Sequence, residues 1–313
     1  MPQTLDDKLV IAVTSMALFD FSEPDRVFRE QGEDAFREHQ KQRIDEPASP
    51  GVAFNLVSKL LRLNSRERQV VEVIVMSKND PFSGLRVFNS AKFHGLNISR
   101  GLFTRGRSPF HYLRAAPPTL FLSANDDDVR RALAEGIPAA RVGDQAPTVS
   151  NAHPTELRIA IDGDGVLFDD RSEAVYARSG LETFHAHEEA HAEVPMQAGP
   201  LWPFVKALRK VQDEAGLELR LALVTARGAP AHERALKTLD DWGLEVDEAF
   251  FLGGLSKAPF LLEFGPDIFF DDQETHIQLA EGVAAVAHVP FGVRNVPPAG
   301  RLELTEIGRL GTC

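Results

Sequence analysis

Two aspartates, Asp162 and Asp164, sit one residue apart at the end of the apolar run in LRIAIDGDGVLFDD. Three later stretches carry partners for them. LVTARG ends on Thr225 and Arg227, GGLSKAP holds Lys257, and DIFFDD ends on Asp271 and Asp272. A carboxylate cluster beside a lysine is the composition of a Mg²⁺ phosphoryl-transfer site. Mg²⁺ is a hard cation that takes oxygen ligands, usually one or two carboxylates with phosphate and water. It offsets the repulsion between an anionic nucleophile and an anionic phosphate, while a lysine and a hydroxyl stabilise the equatorial oxygens. Each residue alone has a plainer explanation. D-x-D after a strand is often a solvated turn, Thr225 a strand-end hydroxyl, Lys257 a surface charge, and Asp271-Asp272 a cap for the helix in QETHIQLA. Their shared order carries the catalytic reading. Arg227 stays open between contacting phosphate and pairing with a carboxylate.

The elements that must position them alternate. ELRIAID, LELRLALVTA, EAFFLGG, DIFFDD and VAAVAHV are short apolar runs that predict strands. The stretch Arg171 to Glu193, PLWPFVKALRKVQDEAG and PAHERALKTLDDWG predict helices, the last closed by Gly243. Strands alternating with helices predict a parallel sheet covered on both faces. Ligands of such sheets bind at strand carboxyl ends, where all these polar residues fall.

The pattern occurs twice. LVIAVTSMALFD, from Leu9, repeats the opening phrase without its aspartates, and an offset of 148 aligns Gly32 with Gly180, Phe36 with Phe184, His39 with His187, Gly51 with Gly199, Arg86 with Arg234 and Phe121 with Phe269. Near the end of each copy the offset slips to 146, matching Ala134-Glu135-Gly136 to Ala280-Glu281-Gly282. One register held across more than ninety residues, glycines included, predicts two homologous halves. They would be residues 1–150 and 151–313, joined through the polar stretch DQAPTVSNAHPTE. In the first half Thr225, Lys257, Asp271 and Asp272 become Ser77, Pro109, Ser123 and Ala124, and Asp162 falls opposite Val13 or Thr14. That copy is expected to be non-catalytic and to pack against the active half or shape its pocket. Ser77–Asp80 and Arg105–Phe110 would lie at its strand ends, in reach of a bound ligand.

Bulk properties set limits. The 313 residues suffice for two domains, and 43% hydrophobic with 26% charged residues is a globular profile. A net charge of −12 argues against a broad nucleic-acid surface but not against one small phosphorylated ligand. The single cysteine, Cys313, makes no internal disulfide framework. No basic-then-apolar leader opens MPQTLDDKLV, and no apolar run approaches the ~18 residues of a membrane span. A cytoplasmic location and no membrane partner are expected; the oligomeric state stays open.

D-x-D-x-V after a strand, then Thr, Lys and an acidic pair, resembles the haloacid dehalogenase superfamily of phosphatases. PMQAGPLWPFVKAL, RALKTLDDWGLEVDEAFFLGG and IFFDDQ, with EPASPGVAF and SPFHYLRAAPPTLFLSAN in the first half, extend the resemblance over nearly the whole chain to the cytosolic 5′-nucleotidase type I family. The resemblance implies an α/β fold of two dehalogenase-like halves, the second catalytic under a small helical cap (about 170–218), the first degenerate. It implies Mg²⁺-dependent hydrolysis of AMP-like nucleoside 5′-monophosphates. Asp162 would be the nucleophile, forming an aspartyl-phosphate, and Asp164 the acid and base. Thr225 and Lys257 would hold the phosphoryl oxygens. Mg²⁺ would bind Asp162, the Asp164 carbonyl, and either Asp271 or Asp272. The alternatives are a superfamily phosphatase or phosphotransferase on another small phosphate ester, and a non-catalytic nucleotide-binding protein.

One motif competes. HEEAH, His187 to His191, matches the H-E-x-x-H pattern of zinc sites. An exposed charged helix explains it more simply, because no third ligand has a distinctive downstream signature. Its place between Asp164 and Thr225, where the superfamily it resembles inserts a small cap, implies that His187 and His191 are cap residues approaching the substrate.

Overall fold

The structure, a computed structural model, describes residues 4–144 and 153–295. The proposed halves' boundary, most of the linker and Cys313 lie outside the described residues. Ten strands form one sheet: β1 Leu9–Thr14, β2 Val71–Ser77, β3 Arg100–Phe103, β4 Leu120–Ser123, β5 Ala139–Val142, β6 Leu157–Ile161, β7 Leu219–Thr225, β8 Glu248–Phe251, β9 Ile268–Asp271 and β10 Val286–His288. Their order is β3-β2-β1-β4-β5-β10-β9-β6-β7-β8. All neighbours pair parallel except β5 and β10. The fold is thus α/β with a mostly parallel sheet, as the alternation predicts. The two expected sheets are one, because β5 and β10 join edge to edge and spare each five-stranded unit an exposed inner edge.

Both faces of the sheet are covered. β1 and β6 are buried almost throughout because successive side chains enter opposite layers. Ile159 and Ile161 join a core layer that spans both units with Ile11, Val13, Phe168, Phe204 and Leu208. Ala160 points to the other layer, against Val224, Leu261 and Phe269. The helix Trp202–Ala215 buries Phe204, Val205 and Leu208 in the spanning layer, so it is a core helix of the sheet. The preceding helix, Arg171–Ala190, breaks at Gly180 (φ 78°), a backbone conformation that only glycine adopts cheaply.

One buried ion pair ties the units together. Lys59 of the first donates to Asp267 of the second at 2.7 Å and to the His153 and Glu156 carbonyls at 2.6 and 2.8 Å. Both side chains are about 95% buried, and their hydrogen bonds satisfy the ammonium fully.

The same strand order appears on each side of the β5–β10 seam, read outwards as β5-β4-β1-β2-β3 and β10-β9-β6-β7-β8. Hydrogen bonds repeat too. The Ala48 amide donates to Ser90 Oγ at 2.9 Å, and the Met196 amide to Thr238 Oγ1 at 3.0 Å. Arg86 Nε donates to the Glu46 carbonyl at 3.1 Å, and Arg234 Nε to the Val194 carbonyl at 2.8 Å. Gly51 and Gly199 each donate to a leucine carbonyl, of Leu18 and Leu167. Every pair lies 148 residues apart except the two leucines, 149 apart. Val13 pairs with Leu122 as Ile161 pairs with Phe270, which sets Thr14 opposite Asp162.

The seam corrects one expectation. Because β5 and β10 run antiparallel, the carboxyl ends of β1, β2 and β4 point opposite to those of β6, β7 and β9. β1 and β6 lie five strand spacings apart, about 24 Å at ~4.8 Å each. Ser77–Asp80 and Arg105–Phe110 therefore cannot touch a base or ribose held at Asp162 in the same chain. Among the described residues, no helix is long and apolar enough to cross a membrane.

Candidate active site

The carboxyl ends of β6, β7 and β9 deliver one side chain after another to a common point. Asp162 follows β6, and its amide donates to the Phe270 carbonyl of β9, which fixes where the chain leaves the sheet. Asp162 Oδ1 accepts from Lys257 Nζ at 2.8 Å and from the Gly163 amide at 2.7 Å. Lys257 immediately precedes the helix Ala258–Phe264 and also donates to Asp271 Oδ2 at 2.6 Å. Thr225 ends β7; a β-carbon on Gly163 would lie 3.3 Å from its Oγ1, so glycine permits this approach. Asp162, Thr225, Lys257, Asp271 and Asp272 are all at least 95% buried, yet they sit at strand ends.

The acidic pair divides into two environments. Asp271 is fully engaged: Lys257, the Gln273 amide at 2.8 Å and His276 Nδ1 at 3.1 Å take both its oxygens. Burial opposes its charge, but Lys257 and His276 outweigh burial and hold it below the usual carboxylate range. Asp272 has the opposite situation. Its Oδ1 is buried and has no hydrogen-bond partner among the described residues. Burial, together with repulsion from Asp162 and Asp271, pushes its carboxyl up to about 9. Its carboxylate faces Gly165, where a β-carbon would come within 2.8 Å, and Gly165 has a left-handed φ of 75°. Burial likewise raises Asp162 to about 7 despite Lys257. Lys257 itself is pushed up to about 12, since Asp162 and Asp271 overcome its desolvation.

Asp162, Asp271 and His276 each place one donor atom within 4.8 Å of the others. Donor chemistry favours a different set for a hard cation. His276 and Lys257 already use Asp271, whereas Asp272 presents an orphaned oxygen beside Asp162. Three carboxylates, Asp162, Asp271 and Asp272, around the one ammonium of Lys257 leave a local negative excess that a divalent ion fits.

Arg227 is paired with two carboxylates. Its Nε and Nη2 donate to Asp164 Oδ2 and Oδ1, each at 2.7 Å, and its Nη1 pairs with Glu188 and the Ala231 carbonyl. Each nitrogen of its buried guanidinium has a partner in this structure. Glu188 is the middle of HEEAH, and its side chain is completely buried, held by Ser172 at 2.8 Å and Arg234 at 3.0 Å as well. The exposed-helix explanation fails at this residue. His187 and His191 stack at 4.2 Å, their Nδ1 atoms turned to Glu188 and to the His187 carbonyl. Glu188, as an ion-pair partner of two arginines, is spent as a zinc-site base. Sequence reasoning missed Glu188, His276 and His288, whose Nε2 lies 2.9 Å from the Asp272 carbonyl. Only Glu188 carried a signal: it follows the apolar Phe184 by one helical turn.

The 5′-nucleotidase family matches residues 1–296. The human protein named cytosolic 5′-nucleotidase 1B is 34% identical over 305 residues, covering 93% of this chain and 50% of the relative. The chain thus spans about half the length of the curated relative it matches. No solved structure matches it. The chain belongs to the 5′-nucleotidase family.

Proposed function

We propose that this member of the 5′-nucleotidase family hydrolyses nucleoside 5′-monophosphates, AMP-like substrates included, to nucleoside and phosphate with Mg²⁺. The observation that carries the proposal is the buried set at the ends of β6, β7 and β9: Asp162 against Lys257, Thr225 beside it, and Asp272 with an unpartnered oxygen. The name of the human relative supports the substrate class and a cytoplasmic location.

Asp162 attacks phosphorus, and the bond to the 5′-oxygen breaks as Asp164 gives that oxygen a proton. Water then attacks the aspartyl-phosphate, losing its proton to Asp164, and the Asp162 carboxylate is regenerated. Lys257 and the Thr225 hydroxyl hold the phosphoryl oxygens as charge builds on them. Mg²⁺, when bound, neutralises charge between nucleophile and phosphate. Asp162, Asp272 and the Asp164 carbonyl would hold it, with Asp271 positioning Lys257. The helix Arg171–Ala190 and the loop to residue 201 act as the cap; Trp202–Ala215 belongs to the core.

The mirrored strand order and the repeated hydrogen bonds support a duplication. The first half lost catalysis: Thr14, Ser77, Pro109, Ser123 and Ala124 supply no carboxylate and no lysine. It now completes the sheet and anchors the second half through Lys59.

The test is phosphate release from a panel of nucleoside and sugar monophosphates, with Mg²⁺ and with chelator. Mg²⁺-dependent release from nucleotides supports the assignment. Release from sugar phosphates alone keeps the chemistry and removes the nucleotidase assignment.

A further inference from the structure

We propose that Glu188, the central residue of HEEAH, is a positioning residue for the acid–base carboxylate. Through Arg227 it fixes Asp164, and so couples that carboxylate to the seating of the helix Arg171–Ala190. The inference rests on the phosphatase mechanism above.

The chain of contacts is short and buried. Both Asp164 oxygens accept from Arg227, which leaves the carboxylate one orientation. Arg227 in turn has its remaining nitrogen on Glu188 and its guanidinium over the Phe184 ring at 5.4 Å. Glu188 is anchored at its other oxygen by Ser172 and Arg234. Two of these groups, Glu188 and Ser172, stand on the helix Arg171–Ala190; Asp164 stands on the loop after β6 and Arg227 on the loop after β7.

The other half of the chain supplies the comparison that separates seating from positioning. At the offset of 148, Glu188 corresponds to Gln40, Arg234 to Arg86, and Arg227 to Asn79. Arg86 Nη1 donates to Gln40 Oε1 at 2.8 Å, as Arg234 Nη1 does to Glu188 Oε1 at 3.0 Å. A neutral amide is therefore enough to tie the corresponding helix, Glu33–Gln42, to its neighbour Gly84–Phe93. What that half lacks is the arginine, and Gln40 Nε2, standing where Glu188 meets Arg227, is buried with no partner among the described residues. The carboxylate charge, the arginine and the acid–base aspartate are present together in one half and absent together in the other. Packing explains the amide; only the site explains the charge. The bidentate pair fixes the plane of the guanidinium relative to Asp164; the second anion, on the third nitrogen, ties that pair to the helix Arg171–Ala190.

The experiment uses leaving groups. A nucleoside 5′-oxygen must be protonated as it departs, whereas p-nitrophenolate leaves as the anion, so a misplaced acid slows the first and spares the second. The first turnover of each substrate is followed with the full chain and Mg²⁺, for wild type, Glu188→Gln, Glu188→Asp, Ser172→Ala and Gln40→Leu. Thermal melts identify the folded fraction. Glu188→Gln is expected to slow nucleoside release about 10- to 100-fold, a part of what an acid contributes, and p-nitrophenol release about threefold or less. Glu188→Asp recovers part of the loss. Ser172→Ala shows the same selectivity at smaller amplitude and stands in if Glu188→Gln does not fold. Gln40→Leu behaves as wild type on both substrates. Equal slowing on both substrates, or none, overturns the inference while leaving the nucleotidase assignment intact. If wild type cleaves only non-nucleotide esters, the function fails, and a sugar phosphate against the aryl ester tests the clamp. No activity from wild type on any ester overturns both.

Discussion

Asp272→Asn is expected to make the metal-free protein more stable and to remove its response to Mg²⁺. Asp272 is 97% buried, and its carboxyl is pushed up to about 9 from the ordinary 3.8. A group whose folded value is raised binds its proton more tightly in the folded state. Stability is therefore full below about pH 4 and falls as pH rises towards 9. At pH 8, about 4 pH units above the ordinary value and still below 9, this corresponds to an upper limit of about 6 kcal/mol. Relaxation and water entry bring this to about 3 kcal/mol. Asparagine keeps the volume and removes the charge. For 313 residues the unfolding entropy is about 0.65 kcal/mol per kelvin, so Tm should rise by about 4–5 °C. Mg²⁺ competes with that same proton, so the wild-type melt should shift more with Mg²⁺ at pH 8 than at pH 6. Melts of both proteins with chelator and with Mg²⁺ at the two pH values decide the matter. A metal-free Tm that falls on substitution, or a mutant that keeps the Mg²⁺ shift, would refute the assignment of Asp272 as the strained ligand.

Three further outcomes follow from geometry. Glu188 is held at about 2 by Arg227, the Ser172 hydrogen bond and Arg234 against its burial, so its contribution of about 3 kcal/mol is present above pH 4.5 and lost as pH falls towards 2; Glu188→Gln should flatten the acid limb of a stability–pH curve from chemical denaturation. Lys59→Met should cost about 3–5 kcal/mol by leaving Asp267 buried and uncompensated, with part recovered in the double variant with Asp267→Leu, measured by urea unfolding. Gly199→Ala would put a β-carbon 2.3 Å from the Phe168 carbonyl oxygen and 2.4 Å from that of Val166, backbone atoms of the loop that carries Asp164, and should cost about 1–3 kcal/mol or more. Gly51→Ala meets its nearest atoms at 2.8 Å and should be milder, a ranking that paired melts check.

The sheet was legible because its strands are short, mostly apolar runs, and three of them, β6, β7 and β9, run directly into Asp162, Thr225 and Asp271. Asp162, Thr225, Lys257 and Asp271 meet as the order of strands in an α/β sheet requires. The β5–β10 seam was not legible. An antiparallel edge pairing of AARV with VAH leaves no periodicity of its own, and it reverses which way the first half's strand ends face. The difference between Asp271 and Asp272 was also hidden, since the residues that engage the first lie five residues on, at His276, and fourteen residues back, at Lys257. HEEAH misled for a physical reason: a helix rich in charge usually faces solvent, yet Glu188 is buried because two arginines from another part of the chain neutralise it.

The most direct measurement traps the covalent intermediate. In Asp164→Asn, p-nitrophenyl phosphate can still transfer its phosphoryl group without an acid, while the water step lacks its base. One equivalent of p-nitrophenol per chain is expected, and peptide mapping after acid quench should find one phosphoryl group on Asp162, dependent on Mg²⁺ and absent when Asp162→Asn is added. A burst with no phosphorylated peptide, or a phosphoryl group on any other residue, would contradict it.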